Sequence, residues 1–262
     1  KEYGDEYTRA SVGSDIEEFV GWDTLLDLIH ECENTEYAPS PAFDVDTTDY
    51  RSRLIKRDQA LIAALFLTGG RANEVAGLRV ENFDFKTEPE YIYVKGMKVS
   101  KRYRKLETIK HSDGTKSYVT EPIEMTRGIF TIDRSEPLVP YLEEWIHNSE
   151  DYLFPSPTKN PHLSRQRVYQ IVKDIGKRVG IEIWVHWFRS QRASQLVQEH
   201  EFNIHLLADW FRWNKLDTAR TYTKLNPSAY NKQYEKTKHK RSLQQQLEDQ
   251  QKTIDRLIAL VP

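Results

Sequence analysis

The chain contains very little sulfur: its 262 residues include one cysteine, Cys32, and two methionines. A single cysteine cannot form a disulfide within the chain, and no cluster of Cys and His residues has the spacing of a zinc site. These absences exclude a disulfide-stabilised secreted domain and a zinc-binding module, and they fit a reducing cytoplasm.

Long apolar runs are also missing. No stretch approaches the ~20 apolar residues that cross a bilayer, and the N-terminal region is rich in acids and lacks the apolar core of a signal peptide. With 30% charged residues, the composition is typical of a soluble globular protein without a membrane segment. The length allows one large domain or two small ones.

The net charge of −2 conceals a strong asymmetry. Residues 1–50 carry two basic and fourteen acidic residues, whereas residues 51–262 carry 36 basic and 26 acidic residues, a net charge of +10. Within the basic part, residues 95–110 have seven positive charges against one Glu, and residues 159–178 have six against one Asp. Two such segments with interleaved tyrosines indicate a polyanion as partner, although either segment alone would be interpreted as solvated surface.

Apolar periodicity predicts a mainly α-helical protein with one small antiparallel β-sheet, an α+β fold. A helix is expected at 21–33, a strongly apolar helix at 50–68, and a third after the Gly69–Gly70 break. Short β-type runs occupy 82–132, with the turn signal "HSDG" at 111–114 between two of them. Four further helical patterns follow: 137–148, 165–180, 185–197 and 203–213.

Three parts are predicted along the chain. Residues 1–18 form an acidic, mobile leader, and residues 19–235 form one domain. Residues 236–262 form a polar helix with an apolar stripe on one side: Leu243, Leu247, Ile254 and Leu257. We expect this C-terminal helix to dock on its own domain or on a partner, and a short coiled coil is the alternative.

Two pairs of polar residues at helix starts are candidates for anion binding. Arg71 follows the Gly-Gly break and precedes Glu74 by three residues, and a helix start with an arginine offers several N–H donors to an anion. His186 and Arg189 share a helix face one turn apart. A phosphate would account for both pairs, whereas the alternative is a surface ion pair and a capped, solvated helix end.

Three single residues are further candidates. Lys95 ends the β-type run "YIYV" and precedes Gly96, so a hairpin could present its amine. Trp213 precedes Tyr222 by nine residues in a polar segment. The hydroxyl of Tyr222 is therefore expected to meet solvent or substrate rather than the core.

These motifs, in their order along the chain, resemble the active site of the tyrosine recombinase (phage-type integrase) family: Arg71-x-x-Glu74, Lys95, His186-x-x-Arg189, Trp213 and Tyr222. "LFLTGGRANEVAGL" is similar to the family's first-arginine box, and "HWFRSQRASQLV" is similar to its His-x-x-Arg box. The resemblance covers roughly residues 20–230 and implies the catalytic-domain fold shared with type IB topoisomerases.

The resemblance implies a metal-free and cofactor-free reaction in which Tyr222 attacks a DNA phosphate and forms a 3′-phosphotyrosyl bond. Arg71 and Arg189 would bind the phosphate oxygens, because guanidinium groups are always protonated and fork-shaped. Lys95 would protonate the leaving 5′-oxygen. Because the intermediate conserves the energy of the broken bond, rejoining needs no ATP.

The remaining site residues have supporting roles in this interpretation. His186 would act as a base or hydrogen-bond donor, Trp213 would support the site through its indole, and Glu74 would orient Arg71 or His186. Basic residues elsewhere are expected to contact DNA: Lys98, Lys101, Arg102, Arg104, Arg165 and Arg167.

The chain departs from the family pattern in two places. Arg212 stands where the family ordinarily has glycine, before Trp213 in the third box. The segment after Lys95 is longer than the family's minimal hairpin, so Lys98 and Lys101 are alternative general acids. The family's separate N-terminal DNA-binding domain is not recognisable in the residues before the Arg71 motif.

The expected function is site-specific DNA recombination or integration, in a virus or another mobile element. The expected partner is double-stranded DNA with short specific sites. The protein is expected to be a tetramer in the synapse and a monomer when it is free of DNA, and to act at the nucleoid in the cytoplasm of a prokaryotic host. The alternatives are relaxation of supercoiled DNA by a type IB topoisomerase mechanism and a DNA-binding module that has lost catalysis.

Overall fold

The computed structural model describes residues 18–35, 47–97, 102–123, 128–156, 160–213 and 215–223, together with residues 234, 247, 250 and 251. The chain divides into a main unit, Glu17–Ala219, and a second unit formed by Lys1–Ile16 and Arg220–Pro262. Every site residue discussed below belongs to the main unit except Tyr222.

The described residues form eight α-helices: α1 (Trp22–Glu31), α2 (Thr47–Thr68), α3 (Ala72–Ala76), α4 (Val139–His147), α5 (Arg165–Val179), α6 (Val185–Gln198), α7 (Ile204–Phe211) and α8 (Leu216–Thr223). Helix α2 is the centre of the main unit, because every residue from Arg57 to Thr68 is buried. Helices α1, α4 and α6 pack against it. The apolar side chains of residues 60–67 lie all round this part of α2, which explains why none of its faces meets water there.

Local signals fix the ends of the helices that carry the site. The Ser164 hydroxyl accepts a hydrogen bond from Arg167 N–H at 3.1 Å and begins α5, and Gly180 ends that helix with φ 78°. The Asn203 side chain accepts from two backbone N–H groups and begins α7. Arg212 ends α7 in the left-handed conformation that glycine ordinarily adopts.

The strands form two antiparallel sheets. Strands β1 (Phe83–Asp84), β2 (Tyr91–Val94) and β5 (Phe130–Asp133) form one sheet in the order β1-β2-β5, whereas β3 (Arg102–Lys110) and β4 (Lys116–Ile123) form a separate two-stranded ribbon. In β2 the side chains alternate, and its buried residues join the core.

The mainly helical α+β class predicted from the sequence is confirmed, although two sheets replace the single predicted sheet. All described side chains from Leu106 to Glu121 in the ribbon are exposed. The ribbon offers no apolar face to the core, so it cannot extend the first sheet. Helix α8 is an element that the sequence pattern did not indicate.

Within the described part of the chain, no helix combines the length and the apolar composition needed to cross a bilayer. The predicted leader and most of the predicted C-terminal helix lie outside the described residues. The division into leader, domain and docking helix therefore stays a prediction.

Candidate active site

Two glycines allow the chain to turn from α2 into α3 against the core. Gly69 has φ 53°, and a Cβ placed on it would lie 3.2 Å from Cζ of Phe211 and closer still to Cε1. A Cβ on Gly70 would lie 2.5 Å from Cε of Met97 and 2.6 Å from Cγ2 of Val75. Only glycine fits both positions, because larger residues would meet side chains already packed there.

Arg71 is held at the start of α3 by a buried carboxylate. The Arg71 backbone N–H donates to Glu74 Oε2 at 2.9 Å, and its Nη1 donates to Oε1 at 2.7 Å. The Glu74 side chain is fully buried, whereas 45% of the Arg71 side chain is exposed. Glu74 therefore fixes the direction of a guanidinium that still faces solvent, and its orienting role in the reaction stays a prediction.

Arg189 lies beneath this surface and is 1% exposed. Its Nη1 donates to the Gly69 carbonyl at 2.6 Å and its Nη2 donates to the Phe211 carbonyl at 2.8 Å. The guanidinium carbon lies 4.6 Å from the Phe211 ring centre and 5.5 Å from the Trp213 ring centre, and the two rings stack at 4.7 Å. Arg189 thus connects the Gly-Gly turn with the segment that carries Trp213.

His186 lines an open cavity with Arg71. The cavity has a volume of about 290 Å³, and its lining also includes Arg165 and Tyr169. Loss of water around the imidazole, together with the positive charges of Arg189 and Arg71, lowers the pKa of His186 below its ordinary value, although the residue remains exposed. A neutral imidazole therefore stands beside one guanidinium and close to a second.

His186 and Arg189, which are expected to face one phosphate together, differ in how far solvent reaches them. His186 opens to the cavity, whereas Arg189 is covered and binds backbone carbonyls. The sequence pattern specifies that both side chains lie on one side of α6. It does not specify how deep each lies, since depth depends on Gly69 and Phe211, which are distant in sequence.

Arg165 is the member of the predicted DNA-contacting set that joins the cavity. Its Nη2 donates to the Tyr169 hydroxyl at 3.3 Å, and its guanidinium lies 5.2 Å from the Tyr169 ring centre. Arg167, two residues later, lines a different cavity of about 700 Å³. Lys98 and Lys101 lie outside the described residues, and the side chains of Arg102 and Arg104 are likewise not described.

Lys95 follows β2 and forms an ion pair with Asp84, a pairing that the sequence pattern does not indicate. Its Nζ lies 2.6 Å from Asp84 Oδ2, and the Lys95 ammonium holds the pKa of Asp84 well below its usual range. The Lys95 N–H donates to the Asn82 carbonyl at 2.7 Å, and the Asn82 side-chain amide donates to the Lys95 carbonyl at 2.9 Å, which fixes the main chain at Lys95. Two residues later, buried Met97 packs at Gly70, so this loop lies against the turn that precedes Arg71.

Tyr222 lies on α8 and is half-buried. It belongs to the second unit of the chain, so its role at the site rests on the sequence pattern. No group of three His, Cys, Asp or Glu side chains that could hold a metal ion occurs among the described residues.

A buried ion pair one turn beyond Arg189 was not predicted. Arg192 is 1% exposed, and its Nη1 donates to both carboxylate oxygens of Glu136 at 2.8 and 2.7 Å. The Arg192 guanidinium also lies 5.5 Å from the Phe66 ring centre and 5.4 Å from the Trp210 ring centre. The three-residue spacing between Arg189 and Arg192 indicates that both arginines lie on one face of α6, so the sequence could have identified Arg192 as a neighbour of the site.

Comparison with known proteins places these residues in a family. The model of the phage integrase family matches residues 44–229, which include every candidate catalytic residue named above. The tyrosine recombinase XerA of Pyrococcus horikoshii is 28% identical over 184 residues, which are 70% of this chain and 55% of XerA. Transposase A of transposon Tn554 from Staphylococcus aureus is 25% identical over 193 residues, or 71% of this chain and 50% of the transposase.

Solved structures agree at the level of the fold. The XerH site-specific recombinase bound to palindromic difH substrate has a TM-score of 0.53 at 17% identity, covering 86% of this chain and 54% of XerH. The XerA recombinase crystal structure has a TM-score of 0.52 at 17% identity, covering 86% of this chain and 66% of that one. The chain spans about half the length of the curated relatives it matches. From the family match over residues 44–229, the chain belongs to the phage integrase family.

Proposed function

We propose that this protein cleaves and rejoins double-stranded DNA as a site-specific recombinase, through a phosphotyrosyl bond to Tyr222. The observation that carries the proposal is the cavity at the start of α3, where Arg71, Arg165 and His186 surround one open space in a chain of this family. Two guanidinium groups and an imidazole are suited to a phosphodiester, which is anionic and accepts hydrogen bonds.

Arg71 is the principal phosphate ligand in this proposal. Its guanidinium is exposed at one end and fixed by the buried Glu74 at the other, so little side-chain freedom is lost when an anion binds. Arg165 lies on the same cavity and supplies a second charge for the phosphate or for its neighbour in the strand.

In the reaction, the Tyr222 oxygen attacks phosphorus while the bond between phosphorus and the 5′-oxygen breaks. The tyrosine proton passes to a base, a role open to His186 because its lowered pKa keeps the imidazole neutral at physiological pH. The leaving 5′-oxygen takes a proton from Lys95. A second 5′-hydroxyl reverses these steps, so breaking and joining need neither metal nor ATP.

Arg189 and Lys95 each have to change partners in this mechanism. Arg189 donates to two backbone carbonyls, and Lys95 is paired with Asp84. We infer that DNA binding shifts the Phe211–Trp213 segment, so that Arg189 also reaches the phosphate, and draws Lys95 from Asp84. Trp213 then supports the phosphate with its indole N–H.

The β3–β4 ribbon supplies a DNA-contacting surface beyond the reacting centre. Lys110 lies directly opposite Lys116 in the strand register, and like charges in such a pair repel unless an anion lies between them. A two-stranded ribbon has the width of the DNA major groove. Further basic residues lie shortly before β3 or at its start in the sequence, and we propose that they also contact DNA: Lys98, Lys101, Arg102 and Arg104.

The proposed assembly follows from the substrate, and the proposed location follows from the relatives. Exchange between two duplexes requires four active centres, so we propose a tetramer in the synapse and a monomer away from DNA. Residues 236–262 would tie neighbouring protomers together through the stripe that includes Leu247, which is exposed. We propose that the protein acts in the cytoplasm, at the nucleoid of a prokaryotic host, because its relatives reported above come from Pyrococcus horikoshii and Staphylococcus aureus.

A pool of random-sequence duplexes tests this function without knowledge of the natural site. Each duplex carries sulfur in place of the bridging 5′-oxygen, so the released thiol rejoins poorly and covalent complexes accumulate. After denaturation, DNA is expected to migrate with the wild-type protein and not with Tyr222→Phe. A Tyr222→Phe variant that forms equal adduct, or a wild-type protein that binds duplex without adduct, would contradict the proposal.

The selected DNA then distinguishes recombination from simple relaxation. Two copies of the enriched sequence in one supercoiled plasmid should produce inversion or deletion between them. Relaxed topoisomers without rearranged products would instead identify a type IB topoisomerase activity.

A further inference from the structure

Arg212 occupies a backbone conformation that disfavours a side chain. Its φ and ψ are 52° and 47°, its N–H donates to the Asp209 carbonyl at 3.2 Å, and Trp213 N–H donates to the Ala208 carbonyl at 2.9 Å. Glycine ordinarily ends a helix in this way, since Cβ of another residue crowds the following carbonyl. Strain of this kind is concentrated at functional sites, where the surrounding structure maintains it.

The side chain of Arg212 has no counter-ion in the described part of the chain. The residue is exposed, and no hydrogen bond or ion pair of its guanidinium with another described residue occurs. In contrast, Arg71, Arg178 and Arg192 each bind a carboxylate. An exposed guanidinium without a carboxylate nearby retains its full attraction for an external anion.

The position of this guanidinium is defined by its surroundings. Its Cζ lies 3.0 Å from the point that a Cβ on Gly128 would occupy, so it crosses the backbone just before β5. Trp210 packs on Phe130 at 5.1 Å, which fixes the end of α7 against the start of β5. In the chain, Arg212 lies between Phe211 and Trp213, and the rings of both residues lie against the guanidinium of Arg189.

We propose that Arg212 binds a backbone phosphate of duplex DNA beside the reacting phosphate and so positions the strand. This inference rests on the proposed function. The geometry favours DNA over a protein carboxylate as the anion, because the site borders the candidate catalytic residues and because arginine is suited to phosphate contacts. An arginine at this left-handed position thus adds a phosphate contact that glycine could not make.

Three substitutions separate this role from a structural one. Arg212→Gly removes the charge and relieves the backbone, Arg212→Gln removes the charge but keeps a long side chain, and Arg212→Lys keeps the charge. We expect the Gly and Gln variants to bind a fluorescent duplex about tenfold more weakly at low salt, the effect of one charge-assisted hydrogen bond. The slope of log K against log salt should also decrease in magnitude by about 0.9, and Arg212→Lys should retain most of both quantities.

Thermal unfolding provides the second readout, with a matched control. Arg212→Gly should unfold at the same temperature as the parent or a few degrees higher, because the left-handed position suits glycine. Arg53→Gln is the control, because it makes the same charge change at an exposed site on α2, on the order of 20 Å from the C-terminal end of that helix. This variant should keep the affinity and the salt slope of the parent.

The outcomes are distinguishable from failure of the proposed function. If the wild-type protein binds duplex and forms adduct while Arg212→Gly and Arg212→Gln match it in affinity and salt slope, the inference about Arg212 is wrong and the proposed function stands. If Arg212→Gly and Arg212→Gln both bind more weakly and both unfold at a lower temperature, Arg212 has a packing role rather than a phosphate-binding one. If the wild-type protein does not bind duplex at all, both proposals are wrong.

Discussion

The guanidinium of Arg189 lies over the ring of Phe211 at 4.6 Å and donates a hydrogen bond to the carbonyl of the same residue at 2.8 Å. Its other terminal nitrogen donates to the carbonyl of Gly69. Both carbonyls lie at the C-terminal ends of helices, α7 and α2, where the helix dipole favours a positive charge. Arg189 therefore holds together the two segments that lead to Arg71 and to Trp213.

The contact between Gly69 and the Phe211 ring should be visible in the stability of a single variant. Gly69→Ala introduces a Cβ into the ring at a left-handed position, so we expect the free energy of unfolding to fall by about 3 kcal/mol, from strain and overpacking together. Urea denaturation measures this change. Gly180→Ala is the control, because Gly180 has φ 78° with nothing within 4 Å of its Cβ position, and it should lose only about 1 kcal/mol. Equal losses in the two variants would show that the ring contact contributes nothing.

The imidazole of His186 should titrate below the ordinary histidine pKa of about 6.5. NMR of the ring protons, assigned with the variant His186→Gln, measures this directly. In Arg71→Gln the midpoint should move upward, because one of the positive charges that lower it is removed. A titration midpoint of His186 at or above the ordinary value, or a midpoint that does not change in Arg71→Gln, would contradict the electrostatics of the cavity.

The role of Lys95 as general acid predicts a chemical rescue. Lys95→Ala should lose adduct formation on ordinary DNA by about 100-fold or more, and it should recover on DNA with a sulfur leaving group, because a thiolate departs without a proton. Arg71→Ala, which removes a phosphate ligand, should not recover. If Lys95→Ala cleaves ordinary DNA normally, Lys98→Ala and Lys101→Ala are the next variants to compare in the same assay.

The contribution of Asp84 to the stability of the protein should depend on pH. Because the pKa of Asp84 is lowered in the folded protein, its contribution to stability is present above the ordinary Asp pKa of about 3.9 and is lost as the pH falls below it. The difference in stability between the parent and Asp84→Asn, measured by urea denaturation, should therefore be larger at neutral pH than in acid. A difference that does not change with pH would contradict this linkage.

Much of the site could be predicted from local sequence, and the rest depends on contacts between distant residues. The Gly-Gly break and the three-residue spacing to Glu74 located Arg71 at a helix start, because helix caps are local in the chain. Two features could not be predicted in this way. The burial of Arg189 depends on Gly69 and Phe211, which are 120 and 22 residues away. The pairing of Lys95 with Asp84 depends on the register of β1 and β2.

The separate ribbon illustrates the same limit for the fold. Alternating β-type residues and the turn signal at 111–114 predicted a hairpin, and β3 and β4 form it. Which sheet a strand joins depends on whether it has an apolar face to bury, and periodicity in short polar strands does not decide this. The single sheet expected from the sequence therefore became two.

The covalent link to Tyr222 is the central claim and has a direct measurement. The wild-type protein is incubated in EDTA with the sulfur-containing duplex pool, the DNA is digested with nuclease, and the protein is cleaved into peptides for mass spectrometry. We predict a residual nucleotide attached through its 3′-phosphate to Tyr222, with no such mass on the peptide that contains Tyr234. A nucleotide on Tyr234 or on any other residue, or adducts that appear only when magnesium is restored, would contradict the account.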